Sequence, residues 1–287
     1  MNRLQIMWVE IPDDEQYIKK ELWRVCKELS KKYRSIFLQL GIVNEIICFD
    51  NTAKRLPAFD ADMRETRQQL QKYMNKEYKF ETSFRENMPQ STIIYDIQKT
   101  DDELLSQMHS WSKERVKKAI RNNISFRIAQ ESDYDTFYAK RVQLSHHKWF
   151  TPIPHKDYIA LISYIQKHHC GELFIAEKDA DIAAGSIYLY DAERTTYLYG
   201  FADRKYGNIG AHHFLTHKIM TWARDKGLRS CDMMGWAPTW FPEHSLTGVS
   251  TFKESLGGEK SEVFGSYDMI FHPWIYRMMR WIYRLKK

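Results

Sequence analysis

The stretch from residue 172 to residue 235 most constrains what this chain can fold into. "ELFIAEK" and "DIAAGSIYLY" read as strands joined by a turn at Asp179-Ala180-Asp181. "TTYLYGFA" follows as a third strand, and alternation puts Tyr197, Tyr199 and Phe201 on one face. A glycine-bearing loop, "DRKYGNIGA", leads into "HHFLTHKIMTWARDKG". There Phe214, Leu215, Ile219 and Trp222 recur at helical spacing, and Gly227 is the stop. "LRSCDMMG" reads as a further strand and "WAPTWFPEHS" as an aromatic loop. Phe252 and Lys253 then sit on or beside a short helix, before a last strand, "EVFGSYDMI".

The first half carries a shorter pattern. "LQIMWVEIP" reads as a strand, followed by a helix from about Asp13 whose apolar face is Ile18, Leu22, Val25, Cys26 and Leu29. "RSIFLQLGIV" reads as a short buried strand, "DADMRETRQQLQKYMNKEY" as an amphipathic helix and "STIIYDI" as a strand. "TDDELLSQMHSWSKERVKKAIRNN" reads as one helix opened by a capping box, Thr100 with Glu103. Three antiparallel strands, a loop, a helix, a strand, a helix and a strand is the order of an N-acetyltransferase-like (GNAT) domain. The expected fold is therefore α/β (α+β), with tandem GNAT-like domains of which the first is shortened. The expected boundaries are 1–122 for the first domain with its basic helix, 123–264 for the second, and 265–287 for a C-terminal strand and helix returning to the first.

Composition excludes several classes. With 43% apolar and 14% aromatic residues in 287, the chain has material for a core and is not disordered. A net charge of +6 biases it toward anionic partners. Four cysteines without C-x-x-C spacing argue against zinc and read as small hydrophobes of a reducing cytoplasm. Acidic residues come too early for a signal peptide, and "SIFLQLGIVNEIICF" is interrupted by Asn44 and Glu45. The expected location is the cytoplasm, or peripheral on the inner face of the membrane.

Individual residues carry two readings each. Lys253 beside Phe252 is either a solvated charge or a cation held against something negative. Arg204, Gly207 and Gly210 nearly fit the R-x-x-G-x-G/A pyrophosphate loop, with one residue too many between the glycines, so the segment is either an acyl-CoA site or a plain turn. Asp232 at a strand end is a base or substrate ligand, or else a cap. Tyr199 and Tyr206 either orient an amine across one cleft or are packed aromatics. The pairs His146-His147, His168-His169 and His212-His213 point apart as neighbours must, which argues against a metal. Lys113, Lys117 and Arg121 form a basic stripe, and Arg277, Arg280, Arg284 and Lys287 another beside Trp274, Met278, Trp281 and Leu285. Each stripe is a solvated face or a surface for phosphates or lipid headgroups.

"WSKERVKKAIRNNISFRIA", "FADRKYG", "MTWARDKGLRSCDMMG" and "GVSTFKESLGGEKSEVFGSYDMI", in that order, resemble the Fem family (FemA/FemB/FemX type) over roughly residues 90 to 270. The resemblance implies a non-ribosomal aminoacyltransferase that moves an amino acid from aminoacyl-tRNA to the peptide of a peptidoglycan precursor of the lipid II type, building interpeptide bridges. It implies no further cofactor, and a lipid-linked or nucleotide-linked acceptor. The family's Phe-Lys motif falls on Phe252 and Lys253, its strand end on Asp232 and Gly235, and its basic helix on Lys113 to Arg121. "VEIPDD" stands where the family has another segment, so the resemblance implies a first domain lacking its first hairpin. Lys148 in "SHHKWF" stands where the family often has a basic-glycine-phenylalanine segment. Two alternatives remain: a CoA-dependent N-acyltransferase, and a non-catalytic member that binds precursor or RNA.

Overall fold

The computed structural model describes residues 2–9, 24–29, 31–32, 35–49, 80–84, 91–148, 150–236 and 247–285. The helix expected from Asp13 is described only at 24–29 and 31–32, which are helical, with Cys26 buried. The helix expected over 60–78 and most of the aromatic loop after Trp236 lie outside the described residues. Two compact units emerge, one of residues 1–92, 238–240 and 260–287, the other of residues 93–237 and 241–259. The change of unit at Thr92/Ile93 comes ahead of the boundary read at 122/123, because the basic helix packs with the second unit.

In the first unit, β1 (Asn2–Val9) runs parallel to β2 (Ser35–Phe49). β2 is antiparallel to β10 (Glu259–Ile270), which also pairs with β3 (Phe80–Thr82). β2 is longer than the sequence suggested and runs straight through Asn44 and Glu45. Its ladder with β10 extends from the Phe37–Ile270 pair to the Phe49–Lys260 pair, and backbone bonding carries the strand past the polar residues. Pro273 opens α7 (Pro273–Leu285), where its missing N–H costs nothing. Tyr276 anchors α7, with its ring edge-on to Phe37 and Phe84 at 5.3 and 5.4 Å and its hydroxyl donating to buried Asp268 at 2.8 Å.

The second unit has the GNAT-like strand order. β4 (Ser91–Asp96), β9 (Ser230–Asp232), β8 (Arg194–Ala202), β7 (Asp181–Tyr190), β6 (Gly171–Lys178) and β5 (Ser125–Ile128) lie side by side. Only β8 and β9 pair in parallel. The β6–β7 turn has two residues, Asp179 and Ala180, at φ 51° and 63°, the left-handed pair that matches hairpin twist. Asp181 therefore starts β7 rather than belonging to the turn. On β8 the ladder to β7 slips by one residue between the Ile187–Tyr199 and Tyr188–Tyr197 pairs. This bulge breaks the strict alternation expected of Tyr197, Tyr199 and Phe201.

Helices cover the sheet where their apolar stripes require it. α3 (Tyr134–Lys148) and α4 (His155–His168) bury Phe137, Tyr158, Ile162 and Ile165 with Phe201. α5 (Ala211–Asp225) buries Phe214, Leu215 and Ile219, and Trp222 lies edge-on to Phe174 at 4.7 Å. The single helix expected after Thr100 is two: α1 (Asp101–Gln107), opened by the capping box, and α2 (Ser110–Arg121). The break follows from a long-range bond, since the His109 N–H donates to the Ser255 carbonyl at 2.9 Å instead of continuing the helix.

After α6 (Thr247–Glu254) the chain reverses through Gly257 and Gly258 at φ 86° and 91°. A Cβ on Gly258 would meet the Tyr95 ring at 2.8 Å and Ile93 at 2.9 Å, so neither the dihedral nor the space admits a side chain. Gly258→Ala is expected to cost about 2 kcal/mol in urea unfolding with the m-value kept. Gly207→Ala, where a Cβ meets nothing within 4 Å, is expected to stay within about 0.5 kcal/mol.

Candidate active site

The parallel β8–β9 pairing covers only Arg194–Thr196 against Ser230–Asp232. β9 stops at Asp232 while β8 runs on to Ala202, so the strands part at their carboxyl ends, the usual place for a ligand in an open sheet. The chain leaving β9 is held by the Met233 N–H on the Ile93 carbonyl at 3.0 Å and the Met234 N–H on Asp232 Oδ1 at 2.7 Å. Met234 and Gly235 both take left-handed backbone, at φ 49° and 53°.

Their carbonyls meet Lys253. Its Nζ donates to the Met234 carbonyl and, at 2.7 Å, to the Gly235 carbonyl, and it lies 5.5 Å from the centre of the Tyr197 ring. Lys253 is 4% exposed and Asp232 8% exposed. Burial pushes the Lys253 ammonium down to about 8, against the opposing pull of Asp232. Lys253 is therefore no solvated charge. An ammonium has three donors, and the two carbonyls take two.

The end of α6 that carries Lys253 is fastened by hydroxyls. Tyr95 Oη donates to the Lys253 carbonyl at 2.5 Å, and Ser255 Oγ to the Phe252 carbonyl at 2.6 Å. Ser112 Oγ of α2 donates to Ser255 Oγ at 2.7 Å, and Trp236 Nε1 donates to Glu254 Oε1 at 2.7 Å. Phe252 points away from the strand ends and stacks on His212 of α5, with ring centres 4.4 Å apart. His213 meets the same ring edge-on at 4.9 Å and Trp111 at 5.4 Å. Burial pushes His212 and His213 down to about 4 and about 3, so both are neutral near pH 7.

Several expected site residues lie elsewhere. Tyr206 does not line this cleft: its hydroxyl donates to Asp181 at 2.8 Å, inside a network where Lys140 bridges Asp181 and Asp203. Arg204 is exposed on the 3₁₀ turn Arg204–Ile209, and Lys148 is exposed at the end of α3. The glycine loop is tied to α2 at its far end. Arg115 Nη1 of α2 donates to the Gly207 carbonyl at 2.7 Å, and Gly210, at φ 78°, rests against the Arg115 backbone. On α2, Lys117 is exposed, Lys113 half-buried, and Arg121 paired with Glu114. On α7, Arg277 and Arg284 are exposed, whereas Arg280 turns inward to Glu81 at 2.7 Å.

Tyr199 does meet a cation, Arg141 of α3, which the sequence reading passed over. The guanidinium lies 4.8 Å from the Tyr199 ring and 5.1 Å from Phe150, and Nη1 donates to the Gly200 carbonyl at 2.7 Å. Tyr197 and Tyr95 were likewise missed as neighbours of Lys253. Nothing in their local sequence separates them from the other aromatics of this aromatic-rich chain.

Comparison with known proteins finds similarity over part of the chain. The FemAB family model matches residues 161–284. The matched segment is similar to that family. That segment includes β8, β9, Asp232, Phe252 and Lys253. Two curated relatives are lipid II:glycine glycyltransferases. The one from Staphylococcus saprophyticus is 26% identical over 96 residues, 33% of this chain and 23% of that protein. The one from Staphylococcus epidermidis is 23% identical over 108 residues, 38% of this chain and 26% of that protein. The matches thus span about a quarter of those relatives' length. Among solved structures, FemX superposes with a TM-score of 0.74 at 17% identity, covering 95% of this chain and 82% of that one. L-PGS from Bacillus licheniformis superposes with a TM-score of 0.50 at 13% identity, covering 99% and 82%. At these identities the structures show a shared fold.

The buried ammonium sets a pH signature on stability. An unfolded lysine titrates near 10.4, while Lys253 in the fold titrates at about 8. Between those values the unfolded chain binds more protons, so this group makes stability rise with pH, and its effect is flat below and above the window. In urea melts between pH 8 and 10, Lys253→Met is expected to lower the slope of stability against pH by about 1 kcal/mol per unit.

Proposed function

We propose that the protein is an aminoacyltransferase that moves an amino acid from aminoacyl-tRNA to the peptide of a lipid II-type peptidoglycan precursor. The observation that carries this reading is Lys253. It is a buried cation at the parting of two parallel strands, within the segment that matches the FemAB family. The named relatives are glycyltransferases acting on lipid II, which supports a precursor of that class as acceptor and bridge formation as the outcome.

The chemistry is aminolysis of an ester. An amine of the acceptor attacks the aminoacyl carbonyl, negative charge develops on the carbonyl oxygen, and the 3′ oxygen of the tRNA ribose leaves. The third N–H of Lys253 is the donor for that oxygen, in a site already ordered before the reaction. Asp232, whose charge favours the protonated form of Lys253, is the nearby carboxylate that takes the proton released by the attacking amine and passes it to the leaving 3′ oxygen. Phe252 fixes α6 against α5 and Gly235 supplies a carbonyl, so both position Lys253 rather than touch substrate. Lys113, Lys117 and the Arg121 end of α2 offer phosphate contacts for the tRNA. The CoA-dependent alternative loses support because the glycine loop carries one residue more than the pyrophosphate-loop pattern and its Gly210 packs on α2.

Labelled amino acid offered on charged tRNA together with the precursor tests this directly. Lys253→Ala is expected to lower transfer about 10²-fold or more. Wild-type transfer is expected to fall as pH rises through about 8, where the ammonium is lost. No transfer by the wild-type chain from any charged tRNA would favour a non-catalytic precursor- or RNA-binding protein.

A lipid-linked acceptor also gives α7 a role. Among the described residues no helix is long and apolar enough to cross a membrane. Trp274, Met278, Trp281, Ile282 and Leu285 are nevertheless exposed along one stripe of α7, at 82%, 49%, 63%, 41% and 67%. Arg277 and Arg284 stand beside them for anionic headgroups. Co-sedimentation with anionic vesicles is expected to weaken with salt and to fall in a Trp274→Ala/Trp281→Ala double variant. Absence of binding at low salt would remove the membrane role.

A further inference from the structure

Arg141 is a second partly buried cation of this unit, and among the described residues no anion pairs with it. Its guanidinium lies 4.8 and 5.1 Å from the centres of the Tyr199 and Phe150 rings, with Nη1 on the Gly200 carbonyl at 2.7 Å. Its Nε is buried with no hydrogen-bond partner. Among the described residues no carboxylate pairs with it. Arg127, in the same unit, shows how this chain treats a structural arginine. That guanidinium is bridged by Asp133 and Glu177, each at 2.6 Å, and is less deeply buried than Arg141.

A guanidinium does not shed its proton at ordinary pH, so burial without an anion leaves an unmet demand for negative charge. Burial pulls the Arg141 proton affinity down, and only the Tyr197 and Tyr199 hydroxyls oppose this. Tyr197 ties Arg141 to the reaction centre, because the ring that faces Lys253 at 5.5 Å also feels the Arg141 charge. Aromatic rings packed against a planar guanidinium restrain it while its remaining N–H groups suit a planar or tetrahedral oxyanion.

We propose that Arg141, packed against Tyr199 and Phe150, is a substrate-binding residue for an oxyanion of the reactants, a peptide carboxylate or a phosphodiester. The proposal rests on the aminoacyltransferase reading for the identity of those reactants. Arg141 holds the anion on one side of Tyr197 while Lys253 serves the reacting carbonyl on the other.

The Nε–H resonance of Arg141 in nitrogen-15 NMR reports occupancy without any turnover. The probes are an N-acetylated dipeptide with a free carboxylate, its C-terminal amide, and inorganic phosphate. A shift with the dipeptide but not its amide assigns a peptide carboxylate. A shift with phosphate alone assigns a phosphodiester. A shift with both anions and not the amide supports the shared oxyanion chemistry, and no shift with either overturns it. In transfer assays, Arg141→Gln is expected to raise KM for one substrate about tenfold or more with kcat little changed. Arg141→Lys serves as the folded control should the glutamine variant be unstable. Unchanged KM values for both substrates in either folded variant overturn the proposal and leave the aminoacyltransferase reading intact. An anion-dependent Arg141 signal in a chain that transfers nothing does the reverse.

Discussion

Two backbone carbonyls turned toward one ammonium organise this site. Met234 and Gly235 adopt left-handed backbone, a conformation that costs a methionine free energy unless something fixes it. Lys253 fixes it, and the carbonyls in turn hold a cation out of water. Neither half is favourable alone: an unpaired buried ammonium is expensive, and so are orphaned carbonyls. The rest of the unit supports that bond. Tyr95, Ser255 and Ser112 brace the end of α6, Trp236 locks onto Glu254, and Gly257 and Gly258 let the chain leave without displacing it. The side chain that holds these carbonyls is thus also the buried cation at the strand ends.

Much of the second unit was legible from residues because its strands alternate, its turns carry turn residues and its helices have clear stripes. β6, β7 and β8 fall where the apolar runs put them. The capping box at Thr100 forms as read, since a cap is a local bond between residues three apart. What failed to show was non-local. The break at His109 depends on the Ser255 carbonyl, far along the chain, and a helical pattern continues through it unperturbed. The bulge beside Tyr188 is a property of two strands in register, so one strand's alternation cannot reveal it.

The site divides along the same line. Lys253 stood out through its sequence neighbours and the family pattern, whereas its direction did not. Adjacent helical residues face different ways, and the fold sends Phe252 to the histidines of α5 and Lys253 to the strand ends. Tyr206 looked equivalent to Tyr199 and is bound instead to Asp181. Arg141 looked like one more basic residue on a polar helix. Only packing reveals that two aromatic rings lie against it and that, among the described residues, no acid pairs with it.

The depressed affinity of Lys253 for its proton has a thermodynamic corollary. Near pH 8 about half of the molecules carry this lysine neutral. A ligand that brings negative charge to the strand ends favours the charged form, so it draws a fraction of a proton from solution as it docks. The heat of such docking then depends on the ionisation enthalpy of the buffer, and affinity declines as the medium becomes more alkaline. At the parting of β8 from β9, an arriving anion and a proton would be taken up together.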